Sequence, residues 1–264
     1  MTSTRQTLAA ACAAALLAAP ALAEDLTVVF KTTANGAAGT TTHYYSSEKM
    51  RTGDAASETI MEYGPGKIVS IDHKKKEYSE ITLAEMEAAL KAASAKMEEA
   101  NAQMQQQMAN MPPAVREKME QMMGGVASSV TVTKGGTREV AGYSCQDYTV
   151  AMGQMMTSKV CATTALQFPA PNVDYRKLTS FSGSAAAFAG NPMFKNMDKL
   201  TAEMKKIEGF TIAEATSMKM LGKSFDSSKE AVEIKKGPIP ASAFDVAALT
   251  PGYKKVPHPV TKIK

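Results

Sequence analysis

The order of apolar and polar residues divides the chain into stretches of different period. Leu26 to Thr32 and Gly39 to Ser47 are rich in β-branched and aromatic residues. Shorter runs follow at Lys49–Arg51 and Thr59–Tyr63, punctuated by Gly53-Asp54 and by Gly64-Pro65-Gly66. Lys67–His73 and Glu77–Ile81 read as a hairpin turning on Lys74, Lys75 and Lys76. Three lysines at such a turn form a solvated tip, with contact to anionic lipid as the weaker alternative. The N-terminal third is therefore expected to be antiparallel β structure.

At Thr82 the period changes to that of a helix. Thr82 and Glu85 are spaced as a capping box, and Ile81 and Met86 as its hydrophobic staple. Met86, Leu90, Ala93, Met97, Met104, Met108 and Met111 recur at helical spacing, with Glu87, Lys91, Glu98 and Gln105 on the other face. Pro112-Pro113 ends this helix and opens a shorter one, which Gly124-Gly125 stops. A helical insertion over 82–124 in a β-rich chain is the expectation. Strands resume at Ser128–Thr133, and Gly135-Gly136 is expected to turn the chain. A second helix runs from an Asn191 N-cap through Pro192, Phe194, Met197, Leu200, Met204 and Ile207 to Gly209. Thr211–Met220 and Phe225–Lys235 make a last hairpin around Gly222, and the tail from Lys254 onward is expected to be exposed.

The first 23 residues obey a different logic. Arg5 precedes an apolar run from Leu8 to Ala19, Pro20 breaks it, and Ala21-Leu22-Ala23 supplies a small-x-small cleavage pattern ahead of Glu24. The apolar run is too short to span a bilayer. Residues 1–23 thus read as a secretory signal cleaved between Ala23 and Glu24, leaving one domain, 24–264, without a transmembrane segment. Cys12 sits inside the apolar run, not at its end where a lipidated cysteine belongs, and is removed with it. None of the six Asn residues begins an N-x-Ser/Thr sequon, which favours a bacterial periplasm.

Cleavage leaves Cys145 and Cys161, an even pair in an exported chain and so a disulfide. Both lie on expected strands, Val140–Val150 and Ser158–Thr164. A hairpin folded about Gly153 would set them directly opposite each other. A redox-active pair is the alternative, but no C-x-x-C is present and no His lies nearby.

Loss of Arg5 changes 30 basic residues to 29 against 26 acidic ones, about +3, and no basic run is interleaved with aromatics. Nucleic acid is therefore excluded as a partner. The three histidines, His43, His73 and His258, lack metal-ligand spacing, although His43 and His73 could approach each other across strands. Ser46 and Lys49 match S-x-x-K without its companion motifs, a chance match. No catalytic residue and no cofactor is implied. Methionine is the outlier, with 19 in all and eight between 83 and 124. A Met face serves as a core or lid, as an adaptable apolar-binding surface, or, through Met104, Met108 and Met111, as a soft site for Cu(I).

Four segments carry a family resemblance. Val140-Ala141-Gly142-Tyr143 with Cys145 and Tyr148, Gly209-Phe210, Ile239-Pro240-Ala241-Ser242 with Phe244, and Pro251-Gly252-Tyr253-Lys254 occur in this order. In this the chain resembles the domain of unknown function 4412 family of exported bacterial proteins, which is distantly similar to periplasmic lipoprotein carriers of the LolA/LolB type. The resemblance implies an α+β fold: a curved antiparallel sheet, an unclosed barrel, with helices over its hollow. It carries no functional residues. The function expected is non-enzymatic binding of an apolar ligand, a lipid or a lipoprotein acyl chain. The alternatives are a Cu(I)-binding envelope protein and a structural or protein-interaction module.

Overall fold

A computed structural model describes residues 24–89, 103, 130–153, 156–170, 202–220 and 223–262. Six strands follow one another as a meander: β1 (Leu26–Ala34), β2 (Ala37–Tyr45), β3 (Lys49–Gly53), β4 (Ser57–Glu62), β5 (Lys67–Asp72) and β6 (Glu77–Thr82). A second meander contains β7 (Val130–Val140), β8 (Tyr143–Met152) and β9 (Met156–Thr163), and β10 (Phe210–Met220) and β11 (Lys223–Lys236) extend it. Pairing of β11 with β1 joins the two. With β12 (Lys254–Lys255) added beside β6, the result is one sheet in the order β12-β6-β5-β4-β3-β2-β1-β11-β10-β9-β8-β7. Among the described strands only β12 is parallel to its neighbour, β6. The order has two ends, so the sheet is unclosed, as the resemblance implied. The α+β expectation is met only loosely, because sheet dominates the described residues.

The sheet curves. Arg138 on β7 reaches Glu230 on β11 at 2.8 Å although β8, β9 and β10 lie between them. Flat strands ~4.8 Å apart would hold these positions ~19 Å from each other. Local bulges help: the register shifts at Val29/Phe30 in β1–β11, at Thr211/Ala213 in β9–β10 and at Lys134/Thr137 in β7–β8.

The third of these corrects an expectation. Gly135-Gly136 does not turn the chain but sits inside a continuous β7. The turn to β8 is made by Ala141 and Gly142, with φ of 49° and 80°. Two successive positive φ values suit the right-handed twist of a tight hairpin, and Gly142 is at ease there. The Gln146 side chain donates to the Gly135 and Gly136 carbonyls at 2.7 and 2.8 Å, which satisfies groups that the bulge removes from the ladder.

The largest core lines one face from end to end: Leu26, Val28 and Phe30 of β1, Tyr45, Met50, Met61, Ile68, Ile81, and then Phe210, Ile212 and Ala231. In β4 and β5 the opposite face is buried as well. Met61 and Ile68 point into this core, while Ile60, Val69 and Ile71 form another with Phe244, Leu249 and Tyr253 of the C-terminal segment. That double burial explains the consecutive apolar residues in these strands. The tail is exposed at Lys254, Lys255, Pro257, Pro259 and Thr261, as expected, but it is pinned to the sheet and buries Val260. The Val256 amide donates to the Tyr78 carbonyl at 2.8 Å, and Val260 is buried in the main core.

Residues 83–89 are helical. The Thr82 amide donates to Glu85 Oε2 at 2.8 Å, and the Glu85 amide donates to Thr82 Oγ1 at 3.2 Å. These bonds complete the capping box and hold the Glu85 carboxyl below its ordinary range. Met86 is buried in the main core together with Ile81. Most of 82–124 and of the second helix lies outside the described residues. At the end of that second helix, Ile207 and Met204 pack on Tyr148, Val150, Val160 and Ala162. Gly209 follows at φ 91°, where a Cβ would come within 2.3 Å of the Thr163 carbonyl oxygen.

Candidate functional site

The bridge between Cys145 and Cys161 is formed, with S–S 2.06 Å and Cα–Cα 5.5 Å. Its placement differs from direct opposition. Asp147 stands opposite Cys161 and Gln146 opposite Ala162, so the cysteines are two residues out of register and bridge diagonally. The cause is the loop. β8 and β9 close on Met152 and Met156, leaving three residues between them instead of a hairpin centred on Gly153. Both cysteines belong to the main core.

The concave face of the sheet is the first candidate site. Among the described residues its cover consists of non-strand pieces: Met86, Leu166, Phe168 and Val260. Phe168 meets Tyr45 edge-on at 5.9 Å and Tyr63 at 6.1 Å, and Tyr45 also meets Phe210 at 5.2 Å. Aromatic pairs in these geometries add to the attraction of simple area burial.

His43 borders this face. Its Nε2 lies 3.1 Å from the Gly53 carbonyl oxygen and 3.3 Å from the Gly53 amide, and its Nδ1 is hydrogen-bonded to the Tyr45 hydroxyl at 3.2 Å. Burial lowers its pKa to about 4, helped by the positive charge of Lys229 and opposed by the Gly53 hydrogen bond and Glu58. His43 is therefore neutral at pH 7 and acts as a hydrogen-bonding member of the core.

On the outer face lies a groove of about 520 Å³ lined by Thr40–Thr42, Tyr44, Arg51, Asp54, Glu58 and His73 among others. Arg51 donates from Nη2 to Glu58 Oε1 at 2.7 Å and from Nη1 to the Ala243 carbonyl at 3.0 Å, and its guanidinium lies 5.5 Å from the centre of the Tyr44 ring. His73 contacts the other Glu58 oxygen at 3.2 Å and the Tyr253 hydroxyl at 2.9 Å. One carboxylate thus ties two basic side chains, and both reach the C-terminal segment. The sequence reading missed this cluster because Ala243 and Tyr253 are 192 and 180 residues away from their partners.

The histidines do not converge: His43 is bonded to Gly53 and Tyr45, and His73 to Glu58 and Tyr253. Burial lowers the pKa of His258, and its Nδ1 accepts from the Val260 amide at 3.4 Å. The Ser46 hydroxyl is engaged in a turn, donating to the Lys49 carbonyl at 3.0 Å, while the Lys49 ammonium pairs with Glu62 at 3.2 Å. Neither is arranged as a nucleophile with its base. Among the described residues no group of three or more His, Cys, Asp or Glu could hold a metal ion. Met104, Met108, Met111 and Ala23 lie outside the described residues, and Glu24 is exposed at their beginning. No described helix is long and apolar enough to cross a membrane.

These features define a protein built around one long, curved, unclosed sheet with a covered apolar face. The chain belongs to the family called Domain of unknown function (DUF4412), whose profile it matches over residues 92–249. Among solved structures it is similar to an uncharacterized conserved protein from Thermus thermophilus, at 5% identity and TM-score 0.43, over 90% of this chain and 92% of that one. It is also similar to MucB, at 11% identity and TM-score 0.32, over 83% of this chain and 56% of MucB, so it spans little more than half of that protein. A search of curated proteins finds no match.

Proposed function

We propose that this protein is a non-enzymatic binding protein of the bacterial periplasm, exported with cleavage between Ala23 and Glu24, which holds an apolar ligand against the concave face of its sheet. The ligand class is a lipid or the acyl chain of a lipoprotein. One observation carries this reading: among the described residues, an apolar face that runs from β1 to β11 is covered by non-strand pieces and not by a second sheet. Such pieces exchange for an acyl chain without the loss of any ladder hydrogen bond, whereas separating two packed sheets disrupts a whole domain core. The disulfide supports an oxidising compartment, and family membership supports export.

Native mass spectrometry of mature protein taken from its own periplasm tests this directly. A bound lipid mass, displaced by a fluorescent fatty acid, is the expected result. Ligand-free protein that also ignores the fatty acid would overturn the proposal.

A further inference from the structure

The pairing register brings together three methionines that are scattered in the sequence. Met152 on β8 stands opposite Met156 on β9, and Met156 stands opposite Met218 on β10. Residues opposite one another project from the same face with Cβ atoms ~5 Å apart. Three thioethers therefore lie side by side across three adjacent strands. The row continues at both ends with apolar neighbours, Val130 opposite Met152 and Phe225 opposite Met218.

Two further observations give the row a chemical meaning. First, all three methionines are only partly buried, and Phe225 is 43% exposed, so this end of the sheet is open. In an oxidising compartment an exposed thioether is prone to sulfoxide formation, a liability that leucine would avoid at the same positions. Second, the next residues inward on this face of β9 and β10 bring no cation to the row. Ser158 and Thr216 are hydrogen-bonded to each other at 2.9 Å and both to Glu214, and Lys229 is paired with that carboxylate at 3.1 Å.

We infer that Met152, Met156 and Met218 form a thioether site for a soft monovalent cation, Cu(I). Long, flexible side chains on neighbouring strands converge on one ion by rotamer changes alone, and thioether sulfur selects Cu(I) over hard divalent cations. The site is independent of the apolar-ligand reading and distinct from Met104, Met108 and Met111.

The test uses the full mature protein under anaerobic conditions with ascorbate, which keeps copper as Cu(I) and leaves the Cys145–Cys161 bridge intact, and Cu(I) is supplied as its complex with a chromophoric chelator. Wild type is expected to withdraw copper from the chelator. The triple variant Met152→Leu, Met156→Leu, Met218→Leu is expected to lose that competition while still binding a fluorescent fatty acid as wild type does. The variant Met104→Leu, Met108→Leu, Met111→Leu is expected to compete normally. Should the first variant fail to fold, Ag(I) titration of methyl-labelled wild type decides, because only three methionine resonances should shift, assigned by single Met→Leu changes. Absence of competition by wild type, copper binding by a folded first variant, or shifts confined to other methionines would overturn the inference.

Discussion

The two halves of the sheet are secured in different ways. In β1–β6 the outer face is closed by a strap from the far end of the chain. The strap is pinned where Arg51 meets the Ala243 carbonyl and where His73 meets Tyr253, and it is packed by Phe244 and Leu249 over Ile60 and Val69. In β7–β11 a covalent bridge between residues 16 apart staples the β8–β9 hairpin, and β7 is largely exposed. The first device depends on charges and hydrogen bonds that must be recruited across the whole chain. The second constrains the unfolded chain directly. One half should therefore answer to pH and the other to reductant.

Acid provides the largest test. His43 in β2 has its pKa lowered from 6.5 to about 4. The folded state thus binds fewer protons than the unfolded state between these values. Stability is fully present above pH 6.5, falls as pH drops, and reaches its floor near pH 4, a loss of about 3 kcal/mol from this residue. Urea denaturation of wild type and His43→Gln across that window should show the variant lacking this component. Identical pH dependence in the two proteins would remove His43 from the account.

Removal of the bridge by Cys145→Ala with Cys161→Ala should cost about 3 kcal/mol or slightly less. Hydrogen exchange locates the effect: β8 and β9 amides should speed up more than those of β4 and β5. Uniform acceleration would mean that the halves unfold as one unit, and the contrast between them would disappear. The smallest effect is expected from Tyr253→Phe, which keeps the ring on the outer core and deletes the hydroxyl beside His73 Nδ1. A loss of about 1 kcal/mol, with faster exchange at the β5–β6 end, is the expected outcome. No change would show that packing alone holds the strap.

Much of this architecture was legible in the residues. The six-strand meander, the Thr82–Glu85 capping box and the pairing of the two cysteines each follow from interactions within a few residues or from a count of two, whereas Gly209, expected as a C′ glycine, stands beyond a helix that ends at Met204 and serves the close approach to Thr163 instead. Gly135-Gly136 misled because glycine pairs serve bulges as well as turns, and the carbonyl-satisfying Gln146 sits on the neighbouring strand. The diagonal bridge was missed for a related reason. A loop residue more or less shifts the register, and glycine position alone does not specify loop length.

The candidate sites divide in the same way. Composition pointed to methionine, and helical spacing drew attention to Met104, Met108 and Met111. The row formed by Met152, Met156 and Met218 has no spacing signature, since one hairpin loop separates Met152 from Met156 and a long intervening segment separates Met156 from Met218. By itself the sequence determined which segments become strands and where the first helix begins, because those outcomes rest on local propensity and short-range hydrogen bonds. Only the tertiary structure decided that β11 closes onto β1, that the tail straps the outer face, and which thioethers share a row. Those contacts depend on register, curvature and the burial of both sheet faces, which no local pattern encodes.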